Sequence, residues 1–552
     1  MPSIQGWSGL ATHAQAPQHH RTTTADHRHS GAQLNPAGGW TGRTAAALQT
    51  ALRLSQERFA ERLGISARTV GAWHKKPDLR PQSDMQQVLD TALAQASDAE
   101  RDRFGELTGD APASASPAAS SEADERLDAD PHIGAALEWL DRHAHWTPGT
   151  ARRAVADRLA RIDVQQLQDR GTRRGWVSQR DVVAALTTYY GSRLDDHGLY
   201  TAQCGDLAMN TSVLTCADWL DLDCELRPPY DQFRVPSAQP EADLDLADHA
   251  ADRAVQRLAE TLSMNTRLTD SPIYRLTSAD IREHQLRGTF GVSQFVHYAL
   301  TADLLEGELV DAVAAGSTAM PLRDRYLPDL RSVLDVGERL CAGGVLALTA
   351  IARPADPYRG DADYLLLVQE RSGNVLNAAR RLAVIPKGFH QPLTDLRRDA
   401  QVGMTLRREM EEELFGRPDV DNTLGDMLAA DPLHPSKLTE PMSWLIAQPG
   451  RLRMECTGFG LNLVSGNYEF ASLIVIDDEE FWARYGGVVE ANWESATLRQ
   501  YSTTDDELVT ELLGDVAWSN EGLFAMSQGL RRLAEIGGER VKLPAIEWEI
   551  SQ

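Results

Sequence analysis

The feature that most constrains this chain is a run with nothing to bury: Gly109-Asp110-Ala111-Pro112-Ala113-Ser114-Ala115-Ser116-Pro117-Ala118-Ala119-Ser120-Ser121. Its small, Pro- and Ser-rich composition reads as a flexible linker, so separate bodies must fold on either side of it. At 552 residues the chain is also too long for one hydrophobic core, and three or more folded pieces are expected. The reading divides it into a disordered tail (1–40), an all-α domain (41–108), the linker (109–125), a mainly helical region (126–340) and an α+β domain (341–552).

The 42% hydrophobic content is enough to build such cores. The net charge of -25 excludes a protein that coats nucleic acid or an acidic membrane with its whole surface. Of 55 basic residues only Lys75, Lys76, Lys387, Lys437 and Lys542 are lysines, an Arg bias typical of a GC-rich bacterial genome. Five cysteines do not make a disulfide framework. Cys204, Cys216 and Cys224 lack a Cys-x-x-Cys pair and read as buried thiols rather than as a zinc site with His197. The longest apolar run, near Gly343–Ala352, is too short to span a bilayer, and the N-terminus has no signal-peptide core. A cytoplasmic protein without a membrane partner is expected.

Residues 1–40 show no period, and their histidines (His13, His19, His20, His27, His29) read as a solvated tail. Ala247–Leu262 and Val292–Ala315 have helical apolar spacing. Beyond Gly343 the texture turns to strands: Val345–Ile351, Tyr364–Val368 and Leu382–Ile385, then Leu461–Val464 and Phe470–Ile476 around the hairpin signal Ser465-Gly466-Asn467. A charged helix is expected over Thr405–Leu414, and a last one over Ser519–Ile536 with Ser519 as cap.

Two motifs carry chemistry. The first runs from Leu54 to Lys76. Ser55 can cap a helix, Glu57 suits its dipole, and Gly64 permits the left-handed turn that ends it. Ser66 can cap a second helix, and Phe59, Leu63, Ile65, Val70 and Trp73 are spaced to fill a small core. The second helix then offers Ala67, Arg68, Thr69 and Ala72 at its start, the part of a recognition helix that enters a major groove. Arg68 suits guanine and the Thr69 methyl suits thymine. Gln56 suits a phosphate or a base, and His74, Lys75 and Lys76 suit phosphates. Between Thr41 and Arg80, eight basic residues face three acidic ones, a balance of +5 inside a chain of -25. This segment resembles the phage-repressor-like (Cro-like, XRE) helix-turn-helix family over roughly 41–107. The resemblance implies a homodimer on a palindromic double-stranded DNA operator, with Gln56, Ser66, Ala67, Arg68, Thr69, Trp73, His74, Lys75 and Lys76 at the DNA.

The second motif is Pro386-Lys387-Gly388 followed by Thr405–Gly416, which contains Arg408-Glu409-Met410-Glu411-Glu412-Glu413. On an α-helix, Glu409, Glu412 and Glu413 stand at i, i+3 and i+4 and share a face that a hard cation such as Mg²⁺ would stabilise. The pattern resembles the Nudix box. By that resemblance Lys387, Gly388 and Arg408 would meet a nucleotide-like ligand, and Glu409, Glu412 and Glu413 would hold Mg²⁺ on its diphosphate. The sequence departs from the box in three ways. The loop before Arg408 is longer, Thr394 and Asp395 occupy the region of the loop glutamate, and Phe415 stands where the family has glycine. Together the motifs lead us to expect a regulator that reads DNA and senses a phosphorylated metabolite through a Nudix-like domain. A Mg²⁺-dependent Nudix hydrolase with an accessory DNA-binding domain is the alternative, and a partner-binding scaffold in the middle helices a third.

Overall fold

The computed structural model describes residues 40–551 apart from 78, 95, 109–116, 131, 238–245, 247, 265, 267, 372–379, 418–432 and 487–494. The expected tail to residue 39 and the first half of the linker lie outside the described residues. Two compact units emerge, Met1–Ser114 and Ala115–Gln552.

The smaller unit is built from the helices Gly42–Ala51, Gln56–Leu63, Ala67–Lys75, Ser83–Ala94 and Asp98–Thr108. Leu48, Phe59, Val70, Trp73, Leu89 and Phe104 fill its core. Trp40, placed by the sequence reading in the tail, is buried there too and donates its indole N–H to Asp90.

The larger unit overturns the expected fold class. It is mixed α/β, and residues 193–294, read as mainly helical, supply seven strands: β1 (Arg193–Leu194), β2 (His197–Cys204), β3 (Leu207–Thr215), β4 (Leu220–Glu225), β5 (Asp231–Arg234), β6 (Pro272–Arg282) and β7 (Gln285–Gln294). The C-terminal part adds β8 (Gly343–Arg353), β9 (Asp363–Arg371), β10 (Leu382–Val384), β11 (Lys387–Phe389), β12 (Leu452–Asn462), β13 (Asn467–Ile476), β14 (Ser495–Ser502) and β15 (Ile546–Ile550). Twelve of these form one sheet along the path β1-β2-β3-β12-β13-β8-β9-β10, with β4 on β12, β11 on β8, β14 on β9 and β15 on β2. The other three form a small sheet, β5-β7-β6. Residues on both sides of position 340 therefore share one sheet.

The missed strands have a physical reason. The segment 197–215 is two short runs rich in Thr, Tyr and Leu joined by Gly205-Asp206, with Gly205 at φ 56. That is hairpin chemistry, not helical spacing. Likewise the expected helix Val292–Ala315 is split: β7 runs to Gln294, and the helices Phe295–Ala299 and Leu304–Ala315 follow. The second half of the expected linker is also corrected. Pro117–Ala129 is a helix whose Ala123 and Leu127, one turn apart, are buried.

The central strands are apolar throughout because both faces are covered. On one face Val345, Ala347, Leu365, Leu367 and Phe470 meet Val402, Leu406 and Met410 of the carboxylate helix. On the other, Leu346, Leu348, Leu366, Val368 and Leu473 meet Leu523, Phe524 and Leu530 of the helix Asn520–Ile536. Each pair of neighbours in sequence is divided between faces, as the strand period demands. Where β8 leaves β13 on its far side the sheet splits. Gly344–Leu346 pair with β11, and Thr349–Arg353 pair with β9. The short segment 382–389 bridges the split, held by Ala347 N–H to Pro386 O at 2.9 Å and Thr349 Oγ1 to Ile385 O at 2.7 Å.

A fully buried arginine ties the helices to the hairpin β12–β13. Arg323 donates from Nη1 to Leu463 O (2.6 Å) and the Tyr190 hydroxyl (3.1 Å), and from Nη2 to Val464 O (2.6 Å) and Leu305 O (3.3 Å). Glu308 accepts from the backbone N–H groups of Leu322 and Arg323, which fixes the start of the helix Pro321–Tyr326.

Candidate functional site

In the smaller unit, Ser55 and Ser66 cap the paired helices by accepting from Arg58 N (3.3 Å) and Thr69 N (3.2 Å). Gly64 at φ 69 makes the turn between them, a conformation that costs an L side chain. Gln56 lies over Gly71, its Oε1 3.5 Å from where a Cβ there would stand, so the helix pair is close. Ala67 and Arg68 are exposed at the start of the second helix, and Arg68 has no hydrogen-bond partner among the described residues. The Thr69 hydroxyl shares a 2.9 Å hydrogen bond with Ser66. Lys75 and Lys76 are exposed at the far end.

One of the nine residues assigned to DNA is placed differently. Trp73 is 2% exposed and packs in the core, where its size and apolar surface are worth most. His74 is exposed, with its Nε2 2.5 Å from Gln49 Oε1. Asp78, one of the three acids counted in this segment, lies outside the described residues.

In the larger unit, Lys387, Gly388, Arg408 and the glutamates come together at the split in the sheet. The helix Val402–Glu409 passes into a π-helical turn, Met410–Leu414. That turn widens the repeat, yet Glu409 and Glu413 both reach the segment 387–388, each with its own partner there. Glu413 Oε2 accepts from Lys387 N at 2.7 Å. Glu409 is ion-paired with Arg408 and lies so close to Gly388 that a Cβ there would be 2.2 Å from its carboxyl carbon. Glu411, pointing elsewhere, accepts from Thr439 N and Oγ1. An all-oxygen donor set has the chemistry for Mg²⁺, but among the described residues no group of three or more His, Cys, Asp or Glu is arranged to hold a metal ion.

The sequence reading missed the acids on the other side of Lys387. Its ammonium pairs with Glu521 in the first turn of the helix Asn520–Ile536, and Asn462 Nδ2 donates to the second oxygen of Glu521 at 3.0 Å. Burial alone would raise Glu521, but Lys387, with the backbone N–H and Ser519 at the helix start, outweighs it and the group is held below its ordinary value. Buried Glu469 goes the other way: burial and the charge of Glu521 push it up to about 8, against the pull of Lys387. Nothing local in sequence marks these residues, since Glu521 reads only as a first-turn acid.

Arg408 is buried, and it donates from Nη2 to Phe389 O at 3.2 Å. Its Nε and Nη1 have no acceptor among the described residues. At the start of the same helix Asp231 accepts from Gly403 N at 3.0 Å. Burial pushes its carboxyl up to about 7, and the backbone donors Gly403, Phe233 and Val402 only partly compensate.

All five cysteines are free and buried. Among the described residues no helix is long and apolar enough to cross a membrane. No family model and no curated protein matches the chain.

Proposed function

We propose that the chain is a DNA-binding transcriptional regulator of the helix-turn-helix type that works as a homodimer in the cytoplasm. The observation that carries this reading is the start of the helix Ala67–Lys75, where an uncommitted Arg68 stands exposed beside Ala67 at the end that a recognition helix puts into the major groove. The DNA-facing set is Gln56, Ser66, Ala67, Arg68, Thr69, His74, Lys75 and Lys76, with Trp73 as the core beneath it. In the larger unit we assign Lys387, Gly388 and Arg408 to sensing a nucleotide-like or phosphorylated metabolite. What supports this is the pair of buried Arg408 donors without acceptors, which suit phosphate oxygens. With its carboxylates committed to Lys387 and Arg408, this site favours binding over hydrolysis.

The test is selection of bound duplexes from genomic fragments with the full-length protein, followed by titration of the best site. Arg68→Ala is expected to weaken that site by about 1–3 kcal/mol and relax preference at one base pair. A selection that yields no enriched sequence, or an Arg68→Ala protein that binds the selected site unchanged, would sink the reading.

A further inference from the structure

The helical part of the larger unit contains a cleft of about 400 Å³ between the helices Thr150–Leu159 and Asp248–Ser263. Ala154, Asp157 and Arg158 recur at i, i+3 and i+4 and so line one wall, and Arg161, two residues past the helix end, extends it. Val255 and Asp252 line the other, and Trp146 closes the space. The frame is fixed. Trp146 N donates to Asp141 O at 2.8 Å, while the Asp141 carboxylate takes Gly149 N at 2.6 Å and Ala151 N at 2.7 Å. Arg158 joins the two helices through Asp252 (2.7 Å) and Gln256 (2.6 Å), which uses up both its charge and that of Asp252. Arg161 is left as an exposed guanidinium with no ion pair among the described residues.

We propose that this cleft binds a planar aromatic monocarboxylate, with its ring against the Trp146 indole and its carboxylate on Arg161. An indole face with valine and alanine walls suits a flat ring, and the volume, near the small end of ligand pockets, suits one or two rings. A single anionic group matches the single uncommitted guanidinium. A phosphate dianion would meet the nearby, exposed Asp157 carboxylate with charge to spare. The site shares no residue with the Lys387 cluster and does not depend on the sensing role assigned there.

The test is calorimetric titration of the full-length protein with indole-3-acetate and with its neutral analogue tryptophol. Saturable one-to-one binding of the acid is expected, with tryptophol weaker by about tenfold or more. Arg161→Gln, on the surface, should reduce acid binding by roughly ten- to a hundredfold and leave the tryptophol value unchanged. Ala154→Leu, which fills the cleft, should abolish both without lowering the melting temperature. No saturable heat up to millimolar acid would overturn the proposal. So would an Arg161→Gln protein that still prefers the acid, or an Ala154→Leu protein that binds as well as the parent.

Discussion

Replacing Arg323 by Met tests how the helical and sheet parts of the larger unit are joined. The substitution keeps most of the side-chain volume and removes every donor from a fully buried position. Four acceptors lose a donor, but the Tyr190 hydroxyl still bonds Leu327 O and Leu305 O keeps its place in the helix Leu304–Ala315. Leu463 O, buried, and Val464 O, part-buried, are left without one. An unsatisfied buried acceptor costs about 1–3 kcal/mol, and a part-buried one less, so the expected loss is about 2–4 kcal/mol. The guanidinium has no carboxylate partner among the described ion pairs, so no orphaned anion adds to this. Urea unfolding of the full-length protein should be followed by circular dichroism and by proteolysis, because each unit can unfold separately. The transition of residues 115–552 should move to lower urea while that of the smaller unit stays put. A shift equivalent to less than about 1 kcal/mol would show that the carbonyls find other donors and that Arg323 is dispensable.

Four further outcomes are expected. Lys75→Ala should lower affinity for all duplexes alike and flatten the dependence on salt, measured by titration at several ionic strengths; a sequence-selective loss would contradict a phosphate role. Trp73→Ala should unfold or loosen the smaller unit by about 3–5 kcal/mol and so abolish all DNA binding, with the loss visible by circular dichroism; a folded protein with altered base preference would instead make Trp73 a contact residue. Asp231 holds its proton more tightly when folded, so its contribution falls as pH rises from about 4, the unfolded value, to about 7, the folded one, and is flat above. Asp231→Asn should remove that slope and be relatively more stable above pH 7, read from urea midpoints across pH; an unchanged slope would exclude Asp231 as its source. Incubation with nucleoside diphosphates and Mg²⁺ should give binding without turnover, and turnover abolished by Glu412→Gln would establish the hydrolase instead.

Several features were legible in the sequence because they are local. Caps Ser55, Ser66 and Ser519, the turn at Gly64, the hairpin at Ser465-Gly466-Asn467 and the apolar strands beyond Gly343 all rest on residues within a few positions of each other. The strands of 193–294 were missed because amphipathic helical spacing was sought where short alternating runs and Gly205-Asp206 signalled a hairpin. The candidate site was half legible. Lys387, Gly388 and Arg408 stand together as the motif suggested, with Glu409 and Glu413 beside them, but no helical wheel anticipates the π turn at Met410–Leu414. Glu469, Glu521 and Asn462 join Lys387 only through tertiary packing, which distance along the chain conceals.

The pairing of Ile546–Ile550 with Tyr200–Cys204 has a consequence for biosynthesis. Some three hundred and forty positions separate the partners, so a ribosome releases the strand made early long before its neighbour exists. Until Ile546–Ile550 is synthesised, a nascent chain offers that open backbone ladder to whatever other strand it meets. Truncation before Ile546 would make the exposure permanent, and would yield a sticky polypeptide although every segment implicated in binding had been synthesised.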